Sequence, residues 1–368
     1  MLCPICDHNE IKTHRINYPC FRHQDFQKIA EGTWINQCQN CSAIFKNEAQ
    51  IGTPRIKDIY LAQEYAEQKK TDHMVMIDDH RSVTTYFLQT QLIEKMIDKT
   101  NLHHILDIGC FDGKLLLELD NLFESAIMHG FDMSNHIKNL FPKRKNFLFW
   151  SGDLAQVNGK YDLICLSHSI QYICDVKSFM KEISRLLKND GKIFIQVPDL
   201  SKNYYSLLYG DLYYHYTPEI MKNIFGQFGF EATLLEEGRK WFPRDLLITV
   251  QRKKSESFND YFKVNIVDQA EEYLHQVVNK LISYKNKGDL CVLGTTLNAS
   301  FIHSTIEKEI KWFVDENPKK IGNRINGKEV VSPERLSDKE TILVPYGETG
   351  SMLCEKLKAK YNGTFINL

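Results

Sequence analysis

The sequence has no run of 18 or more apolar residues, so we expect no helix that spans a bilayer. It has no excess of either charge, with 46 Lys and Arg against 47 Asp and Glu, which excludes recruitment of nucleic acid or an anionic membrane by overall charge. It has no apolar segment of signal-peptide type at its start, so we expect a cytoplasmic protein. A hydrophobic content of 43% over 368 residues excludes a disordered chain and predicts two to three domains.

Cysteine, in contrast, is plentiful. In a long chain without a signal segment, ten cysteines are expected to be thiols or metal ligands rather than disulfides. Two Cys-x-x-Cys pairs predict a closed, four-thiolate Zn²⁺ site with a structural role. The expected ligands are Cys3, Cys6, Cys38 and Cys41.

Short alternating segments between these pairs, over 11–16 and 33–37, predict the strands of a zinc ribbon within residues 1–60. Cys20 and His23 form a competing pair in the loop between the strands. They could displace one pair of ligands or face a substrate cleft, and an ordinary loop is the alternative.

A strand, a glycine turn and a helix follow one another over residues 103–117, after a helix predicted for 84–99. Gly109 and Gly113 allow the backbone to approach a ligand closely, and the amides at the helix start offer donors. The third glycine of the dinucleotide fingerprint is absent. Asp107 and Asp112 disfavour a pyrophosphate in this turn and suit the cationic methionyl end of S-adenosylmethionine.

Four further strands are predicted after this turn. The first ends at Asp132 and Met133, where a carboxylate would bind the hydroxyls of a ribose. The second is followed by Asp153 and Leu154, which suit the adenine amino group. Strands over 161–168 and 193–198 complete an alternating pattern with a helix over 176–187 and a glycine turn at 189–192. This pattern predicts a doubly wound α/β sheet with its crevice at the carboxyl ends of the strands.

These segments together resemble the class I S-adenosylmethionine-dependent methyltransferases. Four motifs carry the resemblance, over 105–113, 131–133, 152–154 and 186–198. The resemblance implies that the two glycines of the turn face the methionine part of the cofactor, that Asp132 binds the ribose, and that Asp153 and Leu154 surround the adenine.

The last third of the chain has a helical pattern over 258–284 and then a second, smaller α/β pattern. Residues 313–322 and 327–333 are similar to the C-terminal domain of a family of deoxysugar C-methyltransferases, which also carries a four-cysteine zinc module at its N-terminus. The resemblance implies three parts: a zinc module over 1–60, a Rossmann-like methyltransferase domain over 70–250, and a Rossmann-like α/β domain over 258–368.

The sequence departs from this family where the proposed acid/base cluster lies. The best register retains Tyr209, replaces a Glu by Asp211 and places Leu212 where the base histidine would be. Removing a proton from an acceptor requires a positioned base, and either His215 or His168 could supply it. Packing before a helix start is the alternative for His215.

The function expected from these features is methyl transfer from S-adenosylmethionine to a sugar, with a nucleotide-linked sugar as the favoured small-molecule substrate. Carbon, nitrogen and oxygen acceptors all stay open. The alternatives are a cofactor-binding scaffold without turnover and a nucleic-acid methyltransferase, which the balanced charge disfavours. We expect a monomer or weak dimer with no nucleic-acid or membrane partner.

Overall fold

The computed structural model describes residues 1–51, 74–77, 81–98, 102–254, 261–285 and 289–368, together with positions 58, 61 and 100. Within these residues, no helix is long and apolar enough to cross a membrane. The predicted domain boundaries at 60, 70 and 258 lie outside the described residues, as does Gly288, where a helix was predicted to end.

The chain divides into two compact units, each assembled from separate segments. The first unit contains residues 1–14, 34–202 and 211–264, and the second contains residues 15–33, 203–210 and 265–368. The three-part division made from the sequence stays a prediction.

The N-terminal strands are short. They are β1 (Ile11–Ile16), β2 (Cys20–Phe21), β3 (Lys28–Ala30), β4 (Thr33–Cys38), β5 (Ile44–Phe45), β6 (Met74–Met76) and β7 (Ser82–Thr84). Two of these strands, β1 and β4, coincide with the alternating segments predicted for the ribbon. β2 pairs with β3, and β6 pairs with β7, each as an antiparallel hairpin.

A seven-stranded sheet forms the centre of the first unit. The strands of this part of the chain are β8 (His104–Ile108), β9 (Ile127–Asp132), β10 (Phe147–Ser151), β11 (Tyr161–Ser167), β12 (Leu187–Pro198), β13 (Tyr214–His215), β14 (Phe230–Leu234) and β15 (Asp245–Arg252). The sheet has the order β10-β9-β8-β11-β12-β15-β14, while β13 joins a smaller sheet of order β1-β4-β5-β13.

The helices named here for this unit are α1 (Thr85–Met96), α2 (Lys114–Leu122), α3 (Val176–Leu186) and α4 (Pro218–Gln227). Three of them begin at a capping side chain, whereas α2 begins after Gly113, which has none. Side chains of Thr84, Asp175 and Thr217 accept backbone N–H groups at the starts of α1, α3 and α4. Apolar residues of α1 and α2 pack with β8 and β9 in one buried cluster.

The direction of the strands determines where a ligand can bind. The five strands β10, β9, β8, β11 and β12 are parallel, and β15 runs antiparallel beside β12. The strand order reverses between β8 and β11, so the carboxyl ends of these two strands border the crevice that such sheets use for ligands. The α/β, Rossmann-like fold predicted from the sequence is confirmed.

The predicted glycine turn at 189–192 is wrong, because β12 runs unbroken from Leu187 to Pro198. The extra residues form an irregularity inside the strand: Tyr161 pairs with Leu187, but Leu163 already pairs with Lys192. A Cβ on Gly191 would lie 2.8 Å from the Tyr161 carbonyl oxygen, so the glycine permits this close approach.

The second unit contains a six-stranded sheet of order β18-β19-β17-β16-β20-β21. Its strands are β16 (Leu290–Leu293), β17 (Ile310–Val314), β18 (Arg324–Ile325), β19 (Lys328–Val331), β20 (Thr341–Val344) and β21 (Thr364–Asn367), and its helices are α5 (Ile266–Ile282), α6 (Leu297–Thr305) and α7 (Gly350–Lys358). All pairs are parallel except β18 with β19. This sheet and its helices have the α/β pattern predicted for the last third of the chain, and the predicted domain bounds stay a prediction.

Candidate active site

The glycine turn after β8 has the backbone conformation that its residues predict. Gly109 and Gly113 have φ angles of 83° and 72°, in the left-handed region. A Cβ on Gly109 would lie 2.7 Å from the Cβ of Ser169, and one on Gly113 would lie 2.6 Å from the Pro142 ring. Phe111 also has a positive φ, of 43°, which is strained for a residue with a side chain. Both glycines are therefore required for the shape of this turn.

Asp132, at the end of β9, is hydrogen-bonded to the glycine turn. One carboxylate oxygen accepts the Phe111 N–H at 3.2 Å, and the other accepts the Ser134 N–H at 3.0 Å. The β9 backbone also binds the turn, since the Phe131 carbonyl accepts the Gly109 N–H at 2.7 Å. The carboxylate predicted to bind a ribose thus lies directly beside the turn predicted to bind the methionine part.

Asp107 is the buried acid of the site. Its side chain is 3% exposed, and its Oδ1 atom has no hydrogen-bond partner among the residues that the structure describes. Burial, reinforced by the charges of Asp132 and Asp112, raises the pKa of Asp107 to about 7. Asp112 lies near the Lys114 ammonium, at 3.0 Å. A cationic ligand beside Asp107 would satisfy both its orphaned oxygen and its charge.

Within the described part of the chain, other polar atoms at the carboxyl ends of the strands are also buried without hydrogen-bond partners. They are Ser134 Oγ after β9, and Ser169 Oγ and both side-chain atoms of Gln171 after β11. Buried polar groups are normally paired, and a cluster of exceptions at one edge of a sheet is expected where a polar ligand binds. No motif in the sequence pointed to Ser134, Ser169 or Gln171.

Asp153 and Leu154 follow β10 at the same edge of the sheet. Asp153 caps a short 3-10 turn by accepting the Ala155 N–H at 2.9 Å, and its side chain is exposed. Met133, after β9, is 37% exposed. Both positions are accessible to a ligand, and their predicted contacts with a cofactor stay predictions.

His168 lies immediately after β11, at the point where the strand order reverses. Its φ of 51° is in the left-handed region, and its backbone N–H donates to the Gln196 carbonyl at 2.8 Å. The imidazole Nε2 is 3.5 Å from Oδ2 of Asp245, the first residue of β15. His168 is followed in the chain by Ser169, whose side chain lies against Gly109 of the glycine turn.

Comparison with known proteins agrees with this geometry. The sequence model of a family described as a methyltransferase domain matches residues 79–235. We call these residues the methyltransferase domain. They contain the glycine turn, the carboxylates Asp107, Asp112, Asp132 and Asp153, and His168, whereas Asp245 lies beyond them.

Two curated proteins are similar to part of the chain. Trans-aconitate 2-methyltransferase of Deinococcus radiodurans is 24% identical over 108 residues, covering 29% of this chain and 42% of that protein. A Rickettsia prowazekii protein named as a methyltransferase is 35% identical over 100 residues, covering 27% of this chain and 43% of that protein. The chain thus spans less than half the length of the curated relatives it matches.

Among solved structures, the plantazolicin methyltransferase BpumL in complex with SAH has 15% sequence identity and a TM-score of 0.40. That alignment covers 46% of this chain and 84% of the other. The calicheamicin biosynthesis methyltransferase CalO1 aligns with 10% identity and a TM-score of 0.38, over 46% of this chain and 53% of the other.

The other predicted catalytic residues of the first unit lie in buried surroundings. His215 is 3% exposed and pairs through its backbone with Ile44 in the small sheet. Its neighbour Tyr216 forms a bridge with Asp199, just beyond β12 of the methyltransferase domain. Asp211 is 2% exposed. Their assignment as acid/base residues stays a prediction.

Tyr209 belongs to the second unit and packs there against the β2–β3 hairpin. It forms a bridge with Phe21, and its ring meets the His23 ring edge-on at 4.5 Å between centroids. The Cys20 thiol is directed at the Tyr18 carbonyl, 3.5 Å away. His23 and Cys20 thus have contacts of their own in the second unit, as an ordinary loop would.

The four cysteines predicted as metal ligands form one cluster in the first unit, with all four sulfurs within 4.8 Å of one another. The Cys3 and Cys41 sulfurs are 3.6 Å apart, as are those of Cys6 and Cys38. A tetrahedral ion with Zn–S bonds of about 2.3 Å requires sulfurs about 3.8 Å apart, so the cluster fits Zn²⁺. The backbone N–H of Ile5 is directed at the Cys3 sulfur, and that of Asn40 at the Cys38 sulfur, both at 3.4 Å.

The second Cys-x-x-Cys turn and the residue after it, 38–42, form what we call the second knuckle. This knuckle is hydrogen-bonded to residues 262–264, which follow the methyltransferase domain in the sequence. Asn223 of α4 donates to the carbonyls of Cys41 and Phe262, both at 2.8 Å, and accepts the Phe262 N–H at 2.9 Å. Ser42 donates to the same Phe262 carbonyl and accepts the Val264 N–H, both at 3.1 Å. The knuckle therefore fixes residues 262–264 against the helix.

Proposed function

We propose that this protein transfers a methyl group from S-adenosylmethionine to a small acceptor in the crevice at the carboxyl ends of β8 and β11. The observation that carries the proposal is the set of buried, unpartnered polar atoms at this edge. It includes a carboxylate, Asp107, whose burial favours a cationic partner. The match of residues 79–235 to a methyltransferase domain supports the same conclusion.

The charged and polar groups at this edge of the sheet fit the chemical groups of S-adenosylmethionine. Asp107 would bind the ammonium group of the methionine part, and Gly109 and Gly113 would leave room for that part beside the turn. Asp132 would accept hydrogen bonds from the ribose hydroxyls. When bound, the cofactor supplies an electrophilic methyl group on a sulfonium. The protein then aligns the acceptor with that methyl group and receives the acceptor's proton.

We further propose that the acceptor is a sugar carried on a nucleotide. A zinc-type cysteine cluster, a methyltransferase domain and a smaller α/β domain occur in the order found in the deoxysugar C-methyltransferases that the sequence resembles. The near-zero net charge supports a small substrate rather than nucleic acid or a membrane surface. On this proposal the protein acts as a monomer or weak dimer in the cytoplasm.

We also propose that the cysteine cluster holds one structural Zn²⁺, since four thiolates leave no open coordination position for catalysis. Metal analysis of the purified protein tests this point. One zinc per chain, lost in Cys38→Ser, is expected, and a metal-free, fully folded protein would contradict it.

Methyl transfer is tested with S-adenosylmethionine labelled in its methyl group and a panel of nucleotide sugars. The expected result is a labelled nucleotide sugar and an equal amount of S-adenosylhomocysteine. Cofactor binding without transfer to any acceptor in the panel would favour the scaffold alternative. Transfer to RNA or DNA instead would overturn the sugar assignment.

A further inference from the structure

A chain of buried hydrogen bonds leads to His168 from the interior of the methyltransferase domain. The Gln89 amide of α1 donates to Ser167 Oγ at 2.8 Å and to Gln196 Oε1 at 2.7 Å. The Gln196 amide in turn donates to Asp245 Oδ2 at 2.6 Å. The same Asp245 oxygen faces Nε2 of His168 at 3.5 Å. Neither glutamine is more than 1% exposed.

The sheet topology brings these groups together. β11 ends at Ser167, which pairs in register with Gln196 of β12. β15 runs antiparallel and begins with Asp245 opposite Pro198, so its first residue lies at the edge where the parallel strands end. The chain of hydrogen bonds therefore reaches the crevice where the strand order reverses. This point lies next to the glycine turn, to which the proposed function assigns the cofactor.

The direction of each hydrogen bond in this chain is determined by its neighbour. Gln196 accepts from Gln89 through Oε1, so its amide nitrogen must point at Asp245. Burial alone would raise the pKa of Asp245, but the hydrogen bond and charge of His168, with the Gln196 hydrogen bond and the nearby Arg244 charge, lower it overall. An ionised carboxylate only accepts hydrogen bonds, so the Nε2 atom of His168 is the donor.

We propose that Asp245 is a positioning residue that holds His168 with its proton on Nε2 and its lone pair on Nδ1, and that Gln196 and Gln89 orient Asp245. This inference rests on the proposed function, and it deepens it by naming the class of acceptor. His168 then serves an acceptor that must lose a proton, either a hydroxyl or a C–H group beside a carbonyl.

The proton transfer balances without a further reactant. For a hydroxyl acceptor, the oxygen forms a bond to the methyl carbon while the carbon–sulfur bond breaks, and that bond's electron pair remains on sulfur. The hydroxyl proton moves to Nδ1 of His168. The resulting imidazolium is stabilised by the Asp245 carboxylate, as in other pairs of a histidine base and an orienting carboxylate.

The test needs no substrate, because nitrogen-15 NMR of protein labelled at its histidines reports which ring nitrogen of neutral His168 carries the proton. His168→Gln identifies the signals. The wild type should carry this proton on Nε2, whereas in Asp245→Asn it should move to Nδ1, because an amide that faces Nε2 can donate a hydrogen bond to it. Asp162→Asn is the matched control, since Asp162 lies at the opposite end of β11 and binds Lys188 at 2.7 Å.

Gln196→Met provides a second variant in case Asp245→Asn does not fold. Losing the Gln196 donor leaves Asp245 without the group that orients it, so both tautomers of neutral His168 should be present. A wild-type proton on Nδ1, or an unchanged tautomer in whichever variant folds, would overturn the inference. Calorimetry of the wild-type protein with S-adenosylhomocysteine separates this result from failure of the proposed function, which predicts binding whatever the role of Asp245.

Discussion

Asp107→Asn should make the protein more stable and its cofactor site weaker. The wild-type carboxyl has its pKa raised from 3.8 to about 7 by burial and by two neighbouring carboxylates, so the ionised form is disfavoured in the folded state. This difference corresponds to roughly 4 kcal/mol at a pH above both values. Asparagine keeps the shape of the side chain and removes the charge.

The sign of the effect depends on pH in a way that can be measured. Between pH 3.8 and about 7 the folded protein binds more protons at Asp107 than the unfolded chain does, so this group lowers stability progressively as the pH rises. Chemical unfolding should therefore show Asp107→Asn to be more stable than the wild type at pH 8, by up to roughly 4 kcal/mol. The two proteins should differ little near pH 4.

The same substitution should weaken binding of S-adenosylhomocysteine by about 10- to 100-fold at pH 8, because a hydrogen bond between charged groups is lost. 5′-Methylthioadenosine lacks the amino-acid part and should bind both proteins equally. The reasoning is refuted if the variant is no more stable at pH 8 and binds S-adenosylhomocysteine as tightly as the wild type.

Four further predictions concern other parts of the molecule. Gly109→Ala should lower the free energy of unfolding more than Gly152→Ala, since both glycines have positive φ but only a Cβ on Gly109 would lie within 4 Å of another atom. Equal losses in urea titrations would contradict this. Asn223→Ala should cost about 3 kcal/mol by leaving the Cys41 carbonyl and the Phe262 N–H unpaired, and a loss within experimental error would count against this role of Asn223. Burial, with the His104 charge, lowers the pKa of His129 to about 4, so the folded state binds fewer protons there than the unfolded chain does. The free energy of unfolding should therefore fall as the pH drops from 6.5 to about 4, and His129→Gln should reduce this dependence on pH in unfolding titrations. A chelator should lower the thermal midpoint and expose the four thiols of the cysteine cluster to a thiol reagent, whereas an unchanged midpoint would contradict the proposal that the cluster holds a structural Zn²⁺.

Much of the methyltransferase domain could be predicted because its signals are local. The strand β11 at 161–167 and the start of α3 at Val176 coincide with the predicted elements, since a short apolar run or a capping side chain is enough to define each one. The Gly109 turn was also predictable as part of one strand-turn-helix pattern, and Asp132 as the carboxylate at the end of the next strand.

The partner of His168 could not be predicted in the same way. Asp245 is far from His168 in the sequence, and only the antiparallel insertion of β15 beside β12 brings the two together. Gln196 did give a signal, as a polar residue in an otherwise apolar strand. Reading such a residue as part of a buried hydrogen-bond network requires knowing which neighbour it faces, and this depends on the register between strands.

The central claim is that the crevice beside Gly109 binds S-adenosylmethionine. Isothermal titration of the full chain with S-adenosylhomocysteine tests it most directly, with Gly109→Ala titrated in parallel. The account predicts one binding site per wild-type chain and greatly weakened binding in the variant, because a Cβ there would lie 2.7 Å from Ser169. No binding to the wild type, or equal binding to a folded Gly109→Ala protein, would contradict it.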